Sequence, residues 1–226
     1  MEKNELMRGG EFLLKQTKAK DIFIPEEFDD EQLMIAQTCE DFLGAEVFPH
    51  LDRIDAQEEG LIASLLKKSG ELGLLGISVP MEYEGFDQSF VTSMRANESM
   101  GSAYSFSVAY MAHTGIGTLP LLYYGNDEQK QKYIPKLASG EMLAAYCLTE
   151  PGAGSDANSG KSKAVLSADG KHYILNGQKM WITNGGFADL LTVFAKIDND
   201  RVLSAFMVEA DWEGVTINPE EKKMGI

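Results

Sequence analysis

The run Tyr146-Cys147-Leu148-Thr149-Glu150-Pro151-Gly152-Ala153-Gly154-Ser155-Asp156 gathers glycines, short hydroxyls and a carboxylate into one turn-forming stretch. Gly152 and Gly154 allow the backbone unusual dihedrals and a close approach to a flat ligand. Thr149 and Ser155 offer hydroxyls and exposed amides to carbonyl or ring-nitrogen acceptors. The same residues would serve a chain that only has to turn, since Asp156 and Asn158 are turn formers in their own right. On pattern alone the two readings are level. A Walker loop is excluded because GxxxxGK followed by Ser or Thr is absent. A dinucleotide-binding fingerprint is excluded because no βαβ unit surrounds the glycines.

A second stretch is Met180-Trp181-Ile182-Thr183-Asn184-Gly185-Gly186. A strand over 179–183 would point Trp181 and Thr183 to one face, setting an aromatic plate beside a hydroxyl. A flavin ring asks for that pair of features. Taken by itself the stretch reads better as a core tryptophan and an ordinary strand threonine. His113 follows an apolar helix with no carboxylate in helical reach, so it reads as structural rather than as an acid or base. The only cysteines, Cys39 and Cys147, show no CxxC spacing. That argues against a metal site and for a reducing compartment. Cys147, in an apolar run, reads as a small buried residue.

Two kinds of element must position these groups. After an arm over residues 1–28, the pattern from Asp29 is helical. Asp29 or Asp30 caps a first helix whose Leu33, Ala36, Leu43 and Val47 share a face, and Pro49 ends it. Further helices are predicted at Leu61–Leu72, Phe90–Met100, Ala103–Ala112, Thr118–Tyr124 and Asp127–Ala138, with Gly73 and Gly140 as stops. After Met142 the period becomes two, predicting strands at Ala144–Thr149, Lys163–Leu166, His172–Leu175, Lys179–Thr183, Leu190–Lys196, Leu203–Glu209 and Val215–Asn218. Asp169-Gly170 and Asn176-Gly177 are hairpin signals. Helices first and strands afterwards give an α+β chain: a helical domain over 29–143 and a small antiparallel β domain over 144–226.

The chain carries 35 acidic and 20 basic residues, a formal charge of −15, which disfavours nucleic acid and anionic lipid as partners. No apolar run approaches the ~18 residues of a membrane helix. Met1–Glu5 lack the apolar core of a signal peptide, so the expected address is the cytoplasm.

Together the two stretches say more than either alone. YCLTEPGAGSD and GQKMWITNGG, with the hairpin between them, resemble the two signature segments of the acyl-CoA dehydrogenase family. The likeness runs back through Ile134–Glu141 and Gly125–Lys130 and covers the chain from about Glu31 onward. Gly9-Gly10-Glu11-Phe12-Leu13-Leu14 resembles the very-long-chain branch.

The resemblance implies FAD as cofactor, bordered by Tyr146, Leu148, Thr149, Gly154, Ser155, Trp181, Ile182 and Thr183. Thr149 would bond the pyrimidine edge, Trp181 would pack beside the isoalloxazine and Thr183 would bond near N5. Ser155 would also touch a fatty acyl-CoA, whose tail would lie along Val108, Ala109 and Ala112, with Gly115 beyond. These small residues suggest a deep tunnel for a long chain. The implied reaction forms a trans-2-enoyl-CoA, and an electron-transfer flavoprotein takes the electrons. The family's third part, a C-terminal four-helix domain, is missing. With it go the glutamate base and most contacts of the expected homo-oligomer, so no catalytic residue is assigned and this polypeptide alone is expected to be inactive. Glu150 is read as structural. An acyl-CoA oxidase, or a non-catalytic interaction module of the same fold, would share these segments.

Overall fold

The computed structural model describes residues 9–223; the expectations for Met1–Glu5 and for the end of the chain at Met224–Ile226 fall outside them. The arm makes only short 3-10 turns, and Leu13 and Leu14 are exposed. Helix α1 (Asp30–Phe42) starts at Asp29. The Asp29 carboxylate accepts the Gln32 amide N–H at 2.8 Å, while Gln32 Oε1 accepts the Asp29 N–H at 3.1 Å. This reciprocal cap satisfies two of the four donors a helix start leaves open.

Pro49 does not end the run. The chain passes through a π-helical segment (Leu43–Val47) and a 3-10 turn (Phe48–His50) into α2 (Leu51–Asp55). Pro49 sits in the first turn of its segment, where a missing N–H removes no ladder bond. Leu33 is exposed, and Ala36, Cys39, Phe42, Leu43 and Val47 form the buried face instead.

Next come α3 (Leu61–Glu71), α4 (Phe90–Met100), α5 (Ser105–Met111), a second π-helical segment (Ala112–Gly117), α6 (Leu119–Tyr124) and α7 (Asp127–Ser139). Gly73 and Gly140, at φ 77° and 78°, supply the left-handed stops the sequence calls for. Phe42, Leu65, Leu66, Met100, Phe106 and Tyr110 share one core, inside which the Tyr110 hydroxyl donates to the Leu74 carbonyl at 2.7 Å. Helices α3 and α7 meet at Gly70, where an added Cβ would lie 2.3 Å from the Ser139 carbonyl oxygen. Gly70→Ala is therefore expected to destabilise by about 1–3 kcal/mol through overpacking, outweighing a helix-propensity gain of about 1 kcal/mol. A denaturation midpoint that rises would show that the two helices can separate.

The strands β1 (Ala144–Cys147), β2 (Lys163–Leu166), β3 (Tyr173–Asn176), β4 (Leu190–Ile197) and β5 (Ser204–Glu209) form one sheet, and it is mixed rather than antiparallel. Central β4 takes β5 antiparallel on one edge and, end to end on the other, β1 and then β2, both parallel. The Asp169-Gly170 signal does join an antiparallel hairpin, β2 to β3. No strand forms at 179–183 or 215–218, so Asn176-Gly177 is not a hairpin turn. The unbroken burial at the start of β4, through Leu190, Leu191 and Thr192, suits a central strand covered on both faces.

His113 locks the sheet to the helices. Its Nδ1 accepts the Ala144 N–H at 3.0 Å, so Nε2 carries the ring proton and donates to the Leu137 carbonyl at 3.0 Å. The ring is fully buried, and burial lowers its pKa to about 4. It is structural, as its sequence setting suggests.

Candidate functional site

The β1–β4 ladder ends at the pair Cys147–Val193, and β2 joins the same edge of β4 at Lys163–Lys196. Residues 148–162 are thrown off that edge between the two ladders, which puts the first signature segment on a loop with fixed ends. Its centre is a tight turn closed by two reciprocal bonds, Glu150 N–H to the Ala153 carbonyl at 3.0 Å and Ala153 N–H to the Glu150 carbonyl at 3.1 Å. Neither Gly152 nor Gly154 has a positive φ, so unusual dihedrals are not their role. A Cβ at either would meet nothing within 4 Å, so their backbone lies open to close approach. Ser155 and Gly154 are exposed, while Leu148 and Thr149 are half-buried. Half-buried Tyr146 packs on Phe194 with ring centroids 4.8 Å apart.

The second segment is an irregular turn, and the expectation that Trp181 and Thr183 share one strand face fails. Trp181 and Asn184 have φ of 56° and 66°, left-handed values that no strand accommodates. Trp181 is 63% exposed, and Thr183 is exposed beside it. Ile182 is the residue that turns inward, against a core of Ala145, Cys147, Ala188 and Leu191. A tryptophan held left-handed with its ring in solvent stores strain of about 1–3 kcal/mol, and such strain clusters at ligand sites.

The two segments lie side by side. The Met180 N–H donates to the Thr149 carbonyl at 3.0 Å. Lys179 Nζ donates to the Leu148 carbonyl at 3.1 Å and to Glu150 Oε1 at 2.7 Å. Glu150 also accepts the N–H groups of Lys161 at 2.5 Å and Ser162 at 3.1 Å. Burial alone would raise the Glu150 pKa, but the Lys179 ammonium and these donors override it and hold the carboxyl at about 2. Glu150 is thus a permanently ionised strut. Burial pushes the Cys147 thiol up to about 11, so it is no nucleophile. Lys179 and Asn184 were not singled out as site residues by the sequence; only the fold brings them to Glu150 and to β1.

In the helical part, Ala109 and Ala112 are buried and Val108 is half-buried. None of the three lines the cavity of about 170 Å³ beside α4. The adjoining positions Tyr110, Met111, Thr114 and Gly115 do, opposite Ser93 and Met94. Of the small residues expected along a tail, only Gly115 reaches that space.

The arrangement fits a planar, hydrogen-bonding group such as a flavin. Trp181 is an aromatic plate presented to solvent, the glycine backbone is open, and the Thr149 and Thr183 hydroxyls make no hydrogen bond among the described residues. Among the described residues no cluster of three His, Cys, Asp or Glu could hold a metal ion.

Helical part, mixed sheet and stitched loops together define an acyl-CoA dehydrogenase-type fold. The chain matches the family model "Acyl-CoA dehydrogenase, N-terminal domain" over residues 29–141 and "Acyl-CoA dehydrogenase, middle domain" over 145–226. It belongs to the acyl-CoA dehydrogenase family. It is 50% identical over 222 residues to a probable acyl-CoA dehydrogenase of Bacillus subtilis, covering 98% of this chain and 37% of that protein. It is 48% identical over 166 residues to the mitochondrial very long-chain specific acyl-CoA dehydrogenase of Bos taurus, covering 69% of this chain and 25% of that protein. The crystal structure of an acyl-CoA dehydrogenase complexed with FAD from Bacillus anthracis superposes with a TM-score of 0.92 at 50% identity, covering 96% of this chain and 37% of that one. The chain thus spans well under half the length of these relatives.

Proposed function

We propose that the protein containing this chain oxidises fatty acyl-CoA thioesters at the α and β carbons with FAD, giving the trans-2-enoyl-CoA and passing electrons to an electron-transfer flavoprotein. The observation that carries this reading is the bond from Met180 to Thr149, which sets the two signature segments side by side next to an exposed, left-handed Trp181. When bound, FAD supplies the acceptor for the hydride that leaves the β carbon. Tyr146, Leu148, Thr149, Gly154, Ser155, Trp181, Ile182 and Thr183 would hold it. Trp181 gives the plane, Thr149 and Thr183 give hydroxyl donors, and the open backbone at Gly154 allows close approach. Ile182 anchors the turn from beneath and helps exclude water from that side.

Proton removal from the α carbon needs a carboxylate that can accept a proton. Glu150, the one carboxylate between β1 and the Gly152–Ser155 loop, is unsuited because Lys179 and two amides hold it ionised. The base on this reading lies outside residues 1–226, and this chain alone turns nothing over. Residues 29–143 and 144–226 are proposed as its two domains. A homo-oligomer in the cytoplasm is the proposed setting; among the described residues no helix is long and apolar enough to cross a membrane. The likeness to a very long-chain specific relative supports a long acyl tail as substrate.

An absorbance scan of the full-length protein, before and after anaerobic addition of palmitoyl-CoA, tests this. A flavin band that bleaches is the expected result. A yellow protein that does not bleach would remove the substrate from the proposal, and a colourless protein that takes up no FAD would remove the cofactor.

A further inference from the structure

Asn184 follows the Trp181–Thr183 turn, is only 6% exposed and holds a left-handed φ of 66°. For a turn alone, glycine would take that conformation without strain, and two glycines follow directly. What asparagine adds is an amide that reaches two other elements. Its Nδ2 donates to the Ala109 carbonyl at 2.9 Å and to the Ala144 carbonyl at 3.3 Å. Its Oδ1 is buried without a partner among the described residues, an arrangement that is costly and rare in native proteins. Ala109 lies in the last turn of α5, where its carbonyl accepts the Asn184 amide alongside the Ala112 N–H as the chain passes into the second π-helical segment. The next residues, Tyr110 and Met111, line the cavity of about 170 Å³. Ala144 opens β1, and its own N–H is held by His113.

From this geometry we infer that Asn184 is a positioning residue that couples the flavin turn to the wall of the acyl cavity. One buried side chain spans the turn bearing Trp181, the first residue of the strand that feeds the glycine loop, and the last turn of the cavity-lining helix. Tightening of the turn around a cofactor is transmitted to α5, and filling of the cavity is felt at Trp181. This inference rests on the flavin reading above.

The test is FAD titration of the full-length protein, wild type against Asn184→Gly and Asn184→Asp, with visible circular dichroism of the flavin and the KM for palmitoyl-CoA. N184G keeps the left-handed backbone without the amide, and N184D keeps the shape without the donors. Both are expected to raise the FAD Kd at least tenfold, alter the flavin dichroism and raise KM several-fold. FAD affinity within twofold of wild type in N184G, with unchanged dichroism, overturns the inference alone. A wild type that binds no FAD overturns the flavin reading and the inference with it. Should both variants fail to fold, hydrogen exchange on the wild type decides. FAD is expected to slow exchange in Ser105–Met111 as well as in 180–186, and protection confined to the latter overturns the coupling.

Discussion

Replacing Lys179 with methionine is expected to destabilise the full-length protein by about 3–5 kcal/mol and to weaken FAD binding together with it. Glu150 is buried and Lys179 nearly so, their side chains 7% and 11% exposed, and their charged atoms are 2.7 Å apart. A surface pair would be worth at most about 1 kcal/mol. Here removal of the ammonium strands a carboxylate that burial already penalises, with only the Lys161 and Ser162 amides to hold it. The same substitution frees the Leu148 carbonyl, so the glycine loop loses two of its ties to the second segment. A second variant separates charge from packing. In Glu150→Gln with Lys179→Met, the stranded charge is gone and the amide oxygen still accepts one of the two backbone N–H groups. That pair is expected to recover at least half of the loss. Chemical denaturation with and without FAD measures both effects. A loss below about 1 kcal/mol for K179M would mean that solvent reaches the pair and that it is no strut.

Local chemistry made most of the helical part readable, and long-range pairing is what stayed hidden. Asp29 with Gln32, Asn126 with Gln129, and the left-handed stops at Gly73 and Gly140 are satisfied within one turn of chain, so residue type alone betrays them. The Asp169-Gly170 hairpin is local in the same way. The edges of β4 are not, because β1 and β2 reach it over connections of dozens of residues and periodicity names no partner. Lys179–Thr183 reads as a strand in the sequence, yet its left-handed Trp181 forbids one, and tertiary bonds at Met180 and Asn184 join local turn bonds from Gly185 to Ile182 and from Ala188 to Asn184 in fixing that shape. The flavin-segment residues were named from their motif, and the bond from Met180 to Thr149 sets the two segments side by side. Lys179 and Asn184 lie in the second segment, but a Lys or Asn there names neither Glu150 nor Ala109 and Ala144 as its partner until the fold is known. Val108, Ala109 and Ala112 were named from the family resemblance and their small size, but the neighbouring positions of α5 and of the second π-helical segment line the cavity.

Lowering the pH from 6.5 to 4 is expected to remove about 3 kcal/mol of stability through His113 alone. Its folded pKa, about 4, lies below the ordinary 6.5, because burial outweighs the Leu137 bond and the Asp189 charge, which act in the opposite direction. Between these values the unfolded chain binds a proton that the folded one refuses, so stability rises with pH across the window and falls as acid is added. The contribution is fully present above about 6.5 and fully lost below about 4. Protonation there would also place a second N–H against the Ala144 N–H, breaking the bond that joins the second π-helical segment to β1. Glu150, held at about 2, acts in a lower window: its contribution is complete above the ordinary carboxylate value of 4.5 and fades toward 2. The two groups therefore separate on the acid limb. His113→Gln keeps an acceptor for Ala144 and a donor for Leu137 but cannot titrate. Its stability is expected to be flatter between pH 6.5 and 4.5 than wild type, by about 1.4 kcal/mol per pH unit where His113 dominates. Denaturant midpoints across that range measure the slope. Equal slopes in wild type and H113Q would mean that the buried ring is not what makes the helical part and the sheet come apart in acid.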